Sequence, residues 1–162
     1  MTKDEIIDSL GLALHPSEGG YFKRTYESTQ NITHGDSSRK LLTSIYYMLT
    51  SDSPVGYLHK NRSDIIHYYH LGSPMKYFII TTDGKLYEKI LGPDISAGQV
   101  PQLLVRGGEW KASLLCSGDY SLISEAVSPG FEYTDNKIAT LEDIYQSHPG
   151  LISSLSEYIK HQ

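Results

Sequence analysis

The chain has 162 residues and a formal net charge of -5. That length suits one domain able to bury a core without disulfide staples, and the acidic balance argues against a nucleic-acid binder, which needs basic surface to neutralise phosphates. A single cysteine, Cys116, excludes an internal disulfide and fits a reducing compartment. Cys116 sits beside Leu114 and Leu115 and reads as a buried, inert thiol. The polar N-terminus lacks the apolar stretch of a signal peptide, and no apolar run reaches bilayer-spanning length. A cytoplasmic protein with no membrane partner is expected. Thirteen tyrosines stand against three phenylalanines. Tyrosine suits strands and half-wet surfaces such as pockets and interfaces.

In chain order, Ile6, Ile7 and Leu10 share one face of a short helix, with Asp4 as its expected cap and Gly11 as its stop. His15-Pro-Ser-Glu-Gly-Gly follows as a loop, whose paired glycines permit close approach or positive φ. Tyr21 to Tyr26 reads as extended, and Asn31 to Arg39 as a polar loop. Strands are then expected over Leu42 to Thr50, Ile65 to Leu71, Lys76 to Thr82 and Lys85 to Leu91, the last two joined by an Asp83-Gly84 hairpin turn. Further strands are read at Gln102 to Val105, Lys111 to Cys116 and Tyr120 to Val127. Short strands parted by glycine turns favour an all-β sandwich or closed barrel over βαβ units. Thr140-Leu-Glu-Asp has the form of a capping box with Asp in place of Glu, and a helical segment is expected over about 141–160. The whole chain, 1–162, reads as one domain with its core over about 15–141.

The stretch His59 to Gly72 carries three histidines and Asp64. His59 is the leading candidate, because imidazole transfers protons near neutral pH. Strand alternation puts His67 and His70 on opposite faces unless a bulge intervenes, so either remains open as the inward one. His70 shares parity with Asp64, and His67 with Tyr69.

Four ordered stretches resemble the DUF985 family of the cupin superfamily, also called cupin-5. They are His15-Pro-Ser-Glu-Gly-Gly-Tyr-Phe, His59 with Asp64 ahead of Gly72, Pro101-Gln-Leu-Leu-Val before Trp110, and Pro129-Gly-Phe-Glu-Tyr-Thr-Asp. The resemblance implies a double-stranded β-helix, or jelly roll, with an open mouth and short peripheral N- and C-terminal helices. It also implies a homodimer, like dimeric cupins, and a shape similar to sugar-nucleotide epimerases. Many relatives place a glutamate directly after the aspartate, then a tryptophan-histidine pair. Here those positions hold Ile65, His67 and Tyr68, and the second motif reads Arg106-Gly-Gly-Glu-Trp-Lys. The multi-histidine-plus-glutamate metal set is therefore incomplete, and no metal or other cofactor is expected.

The resulting expectation is a small polar metabolite, carbohydrate-related in character, bound in the barrel near His59 and Tyr69. In the alternative, a sugar-type isomerase or epimerase, His59 acts as base, Asp64 holds its tautomer, and Tyr69 or Tyr120 returns the proton. A metal-dependent enzyme is third. The expected ligand-binding side chains are Arg24, His67, His70, Trp110, Lys111, Tyr120 and Glu132. Arg24 is read either as an anion clamp or as a partner of Glu18, Trp110 as a stacking ring, and Lys111 as a cation at the mouth. Tyr120 is a rim hydroxyl and Glu132 an acceptor for ligand hydroxyls.

Overall fold

Alternation of apolar and polar side chains sets the architecture of the computed structural model, which describes residues 1–160. Strands β1 (Ala13–Leu14), β2 (Tyr21–Glu27), β3 (Asn31–His34), β4 (Ser37–Lys40), β5 (Thr43–Thr50), β6 (Val55–Asn61) and β7 (Asp64–Gly72) form the first half. Strands β8 (Met75–Ile80), β9 (Leu86–Leu91), β10 (Gln102–Val105), β11 (Trp110–Leu115), β12 (Tyr120–Ser128) and β13 (Asn136–Ile138) complete the set. A six-stranded sheet runs β1-β2-β5-β12-β7-β10, and a five-stranded sheet runs β13-β6-β11-β8-β9. Face to face, with antiparallel pairing throughout the named strands, they make the expected all-β jelly roll.

Each sheet has an inner and an outer face because side chains alternate. Tyr47, Leu49, Met75, Tyr77, Ile79 and Ile123 fill one end of the space between the sheets. The outer face of the five-stranded sheet, including Leu58, Phe78 and Trp110, is covered by the C-terminal segment through Ile144, Leu155 and Ile159. That segment contains helices α2 (Leu141–Ser147) and α3 (Ile152–Leu155), numbered after the N-terminal α1 (Lys3–Leu10). Helix α1 lays Ile6 against Met48 and Leu122 on part of the other sheet's outer face. Among the described residues no helix is long and apolar enough to cross a membrane.

Several local readings change. The cap of α1 is Thr2 rather than Asp4: its hydroxyl accepts the Glu5 N–H while the Glu5 carboxylate accepts the Thr2 N–H. The same reciprocal arrangement forms at Thr140 and Asp143 as expected. Asn31 to Arg39 is a hairpin, β3 with β4, rather than a loop. Strands β6 and β13 are additional, and both reach the candidate site. Cys116 lies just past the end of β11 and is exposed, not buried.

Candidate functional site

The filled end of the barrel gives way to an open pocket at the other end. The six-stranded sheet lines it with Phe22, Arg24, Ile45, Ile65, Glu125 and Val127. The facing wall carries His59 and Asn61 from β6 and Asn136 from β13. His15 and Glu18 enter from the loop before β2, and Phe131 and Tyr133 from the loop before β13. The space is about 440 Å³ with its open mouth counted, but only about 30 Å³ is wide enough for the centre of a water molecule. The pocket is therefore a narrow slot with one aliphatic and one polar wall.

Paired glycines bring His15 and Glu18 into it. Gly19 and Gly20 have φ of 81° and 70°. A Cβ on Gly19 would lie 2.3 Å from the Val55 carbonyl oxygen, so only glycine lets the loop approach this closely. The Tyr57 N–H then donates to the Glu18 carbonyl at 2.7 Å, and the Tyr47 hydroxyl donates to the Gly19 carbonyl at 3.0 Å.

Hydrogen bonding sets the two pocket histidines in opposite tautomers. His15 Nδ1 accepts the backbone N–H groups of Glu18 at 2.9 Å and Ser17 at 3.3 Å, so neutral His15 carries its proton on Nε2. His59 Nδ1 lies 2.6 Å from the Tyr57 carbonyl, an acceptor, so neutral His59 carries its proton on Nδ1 and leaves Nε2 bare. Both Nε2 atoms lie 3.6 Å from Glu18 Oε2. The Asn136 amide donates to Glu18 Oε1 at 2.7 Å. Glu18 thus stands between two imidazole Nε2 atoms and the Asn136 amide. Burial lowers the His15 pKa and outweighs the opposing pull of Glu18, so His15 is neutral at pH 7.

Beneath the slot, Lys111, His67 and Glu125 form a buried belt. Lys111 Nζ donates to His67 Nε2 at 2.7 Å and to Glu125 Oε1 at 3.1 Å. His67 Nδ1 lies 3.2 Å from the Leu103 carbonyl, which fixes the proton there. Burial, then the Lys111 charge, lower the His67 pKa and keep the ring neutral. Burial alone would raise the Glu125 pKa, but the Lys111 ammonium beside it more than reverses this and holds it far below the usual carboxylate range. Glu125 is an ionised floor to the pocket.

The other expected residues are dispersed. Lys111 is inside the barrel, not a solvent cation at its mouth, because it lies on the inner face of β11. Its neighbour Trp110 points outward, beneath the C-terminal segment, with Lys60 Nζ 4.6 Å from its ring centre. Arg24 reaches the mouth but pairs with Glu27 at 2.9 Å, not Glu18, and donates to the Phe131 carbonyl at 3.2 Å. Asp64 is exposed, away from His59, and accepts the Gly107 N–H at 2.8 Å. Tyr69 points inward at the filled end and donates to the Gly72 carbonyl at 2.5 Å, so it is not brought to His59. Alternation along β7 puts His67 inside and leaves His70 outside, 2.8 Å from the Ser124 hydroxyl. Tyr120 packs beside the α1 cluster, and Glu132 opens the short turn that carries Tyr133.

Metal ligation does not fit His15 or His67. His15 Nε2 bears a proton because Nδ1 is an acceptor, and His67 Nε2 is taken by Lys111. Among the described residues no three His, Cys, Asp or Glu side chains have metal-holding geometry.

The barrel defines a cupin-type fold, and solved structures agree. Oxalate decarboxylase of Bacillus subtilis superposes with a TM-score of 0.57 at 12% identity, over 92% of this chain and 35% of that one, a likeness of fold alone. Residues 4–139 match the family model described as "Cupin superfamily (DUF985)", and the chain belongs to that family. The uncharacterized protein YML079W of Saccharomyces cerevisiae is 36% identical over 154 residues, 86% of this chain and 76% of that protein. A hypothetical protein from Leishmania major has a TM-score of 0.93 at 28% identity, covering 99% and 100% of the two chains. Protein SO0799 from Shewanella oneidensis has 0.89 at 30%, covering 100% and 99%.

Proposed function

We propose that this cupin binds a small polar metabolite in the open end of its barrel. The observation that carries the reading is the convergence of His15 and His59 on one carboxylate oxygen of Glu18 inside a slot with an aromatic lip. Phe131 and Tyr133 at that lip have ring centres 5.1 Å apart in an edge-on arrangement. Concave sites with apolar walls and a few convergent polar groups are the usual form of small-molecule pockets. Sugars belong among the candidates, since aromatic rims and buried hydrogen-bonding groups suit them. The test is saturation-transfer NMR of a library of small polar metabolites against the wild type and His59→Ala. Binding lost in the variant supports the reading. Equal binding by both proteins contradicts it.

A second reading, proton-transfer isomerisation, is favoured by the bare His59 Nε2 facing the Glu18 carboxyl. His59 would remove a proton beside a substrate carbonyl, and Glu18 would orient or return it. Solvent deuterium entering a bound sugar at carbon would support this, and unchanged isotope content would oppose it.

We further infer a homodimer through the outer face of the six-stranded sheet. Strand register places Ser44, Ala126, Ile66 and Leu104 in one row, and Tyr46, Ser124, Tyr68 and Gln102 in the next. Leu104 is exposed there. Small residues between apolar and aromatic ones offer the flat surface that a second copy would cover. Light scattering should give twice the chain mass, and a monomer at micromolar concentration would refute the dimer.

A further inference from the structure

We propose that the ligand is a flat, uncharged ring carrying adjacent carbonyl and N–H groups, a cyclic amide or ureide. This rests on the reading of the slot as a small-molecule site, and narrows its chemistry. The shared pattern occurs in lactams, hydantoins and pyrimidine bases.

The recognition element is a pair of asparagines. Asn61 and Asn136 are register partners across β6 and β13, and both line the slot. Such partners hold their side chains side by side on one face of the sheet. Asn61 Oδ1 accepts the Ser63 N–H at 2.9 Å, which leaves Nδ2 as its donor. Asn136 Nδ2 donates to Glu18, which leaves Oδ1 as its acceptor. Among the described residues, Asn61 Nδ2 and Asn136 Oδ1 are both buried without a hydrogen-bond partner. Unpaired buried polar atoms are uncommon and costly, and this register pair carries one such donor and one such acceptor. The complement is a carbonyl beside an N–H held cis, as in a cyclic amide. His59 shares the same face of β6 two positions away, and its bare Nε2 suits the second N–H of a ureide.

Shape and charge agree. Ile45, Ile65 and Val127 line the slot together with the asparagines and offer a ring an apolar wall. The slot is lined by two carboxyl groups, Glu18 and Glu125, and the Lys111 ammonium beneath it is already engaged by Glu125 and His67. Arg24 at the mouth is paired with Glu27. An anionic ligand would meet this carboxyl excess.

Isothermal titration of the full chain with uracil, hydantoin and 2-pyrrolidinone tests the proposal, with 1,3-dimethyluracil, glucose, benzoate and inorganic phosphate as contrasts. Uridine distinguishes a nucleoside from a free ring. The unmethylated cyclic amides should bind, and loss of the N–H in dimethyluracil should weaken binding roughly tenfold or more. Asn61→Asp turns the donor into an acceptor. It should lose the cyclic amides by a similar factor and gain acetamidine, which offers two adjacent donors. A purely structural asparagine would not yield that gain. If the variant does not fold, the methylation contrast on the wild type decides alone. Glucose binding at His59 without cyclic-amide binding overturns this proposal and leaves the pocket reading standing. Absence of any bound panel member, with the metabolite library also silent, overturns both.

Discussion

The two ends of the barrel interior are made by the same strands and differ in almost everything else. On β5, Tyr47 and Leu49 pack into the filled end while Ile45 lines the slot. On β12, Ile123 is core, Glu125 is the belt and Val127 is slot wall. On β7 the order is Tyr69, His67 and Ile65. Each strand therefore passes from packed core to slot wall within about five residues. The filled end supplies stability, and the belt seals it from a site whose polar atoms need not satisfy one another.

The largest effect is expected at the belt. Lys111→Met leaves Glu125 buried without its cation, and should cost about 3–5 kcal/mol in urea denaturation. Lys111→Met with Glu125→Leu should recover most of that loss, because removing both charges leaves neither stranded. Equal instability of single and double variants would show that the belt does more than pair charges.

Next, Ile79→Ala at the filled end should cost about 2–5 kcal/mol, since Ile79 is fully buried. It should leave ligand affinity nearly unchanged, provided the variant is measured below its melting temperature. His59→Ala should show the reverse, with binding lost and a smaller change in the urea midpoint. A matched loss of both properties in either variant would erase the distinction between the two ends.

Acid should weaken the fold in two stages. His15 and His67 have pKa values lowered by burial, so the unfolded chain takes up their protons first. Their contribution is present above the ordinary value of 6.5 and is lost as pH falls below it. Glu125 has a depressed pKa, so its contribution is present above 4.5 and is lost below that. The urea midpoint should be level near pH 7–8, fall below 6.5, and fall further below 4.5. His15→Gln should flatten part of the first stage. A midpoint unchanged between pH 7 and 5 would contradict the assignment of neutral buried histidines.

The smallest effect is expected from Tyr69→Phe. It removes one hydroxyl donated to Gly72 at the filled end, at a cost of about 0.5–1.5 kcal/mol. Ligand affinity should not change, because Tyr69 lies away from the slot.

These contrasts explain what could be read from the chain alone. The jelly roll was legible because Thr43–Thr50, Met75–Ile80 and Tyr120–Ser128 combine β-formers with bounding turns. His59 was legible as a residue, but β6 was not, since Gly56, Lys60 and Asn61 lack the usual strand composition. Asn61 and Asn136 consequently carried no signal before pairing brought them together. Glu125 did carry one: it shares strand parity with Ile123 and Val127, and a charge on an apolar face needs a buried partner. The partner, Lys111, sits next to Trp110 in sequence, and only alternation across β11 separates inside from outside. Asp64 and His70 looked equivalent to the pocket residues because only the pairing of β7 within its sheet decides which of its two faces turns inward.

The most direct test of the open end as the binding site is a high-resolution crystal structure of the full chain, soaked with the compounds that bind in solution. Ligand density is expected between Ile65 and Val127 on one side and His59, Asn61 and Asn136 on the other. Ligand bound reproducibly elsewhere, with the His59 and Asn61 side chains turned to close the slot, would contradict it.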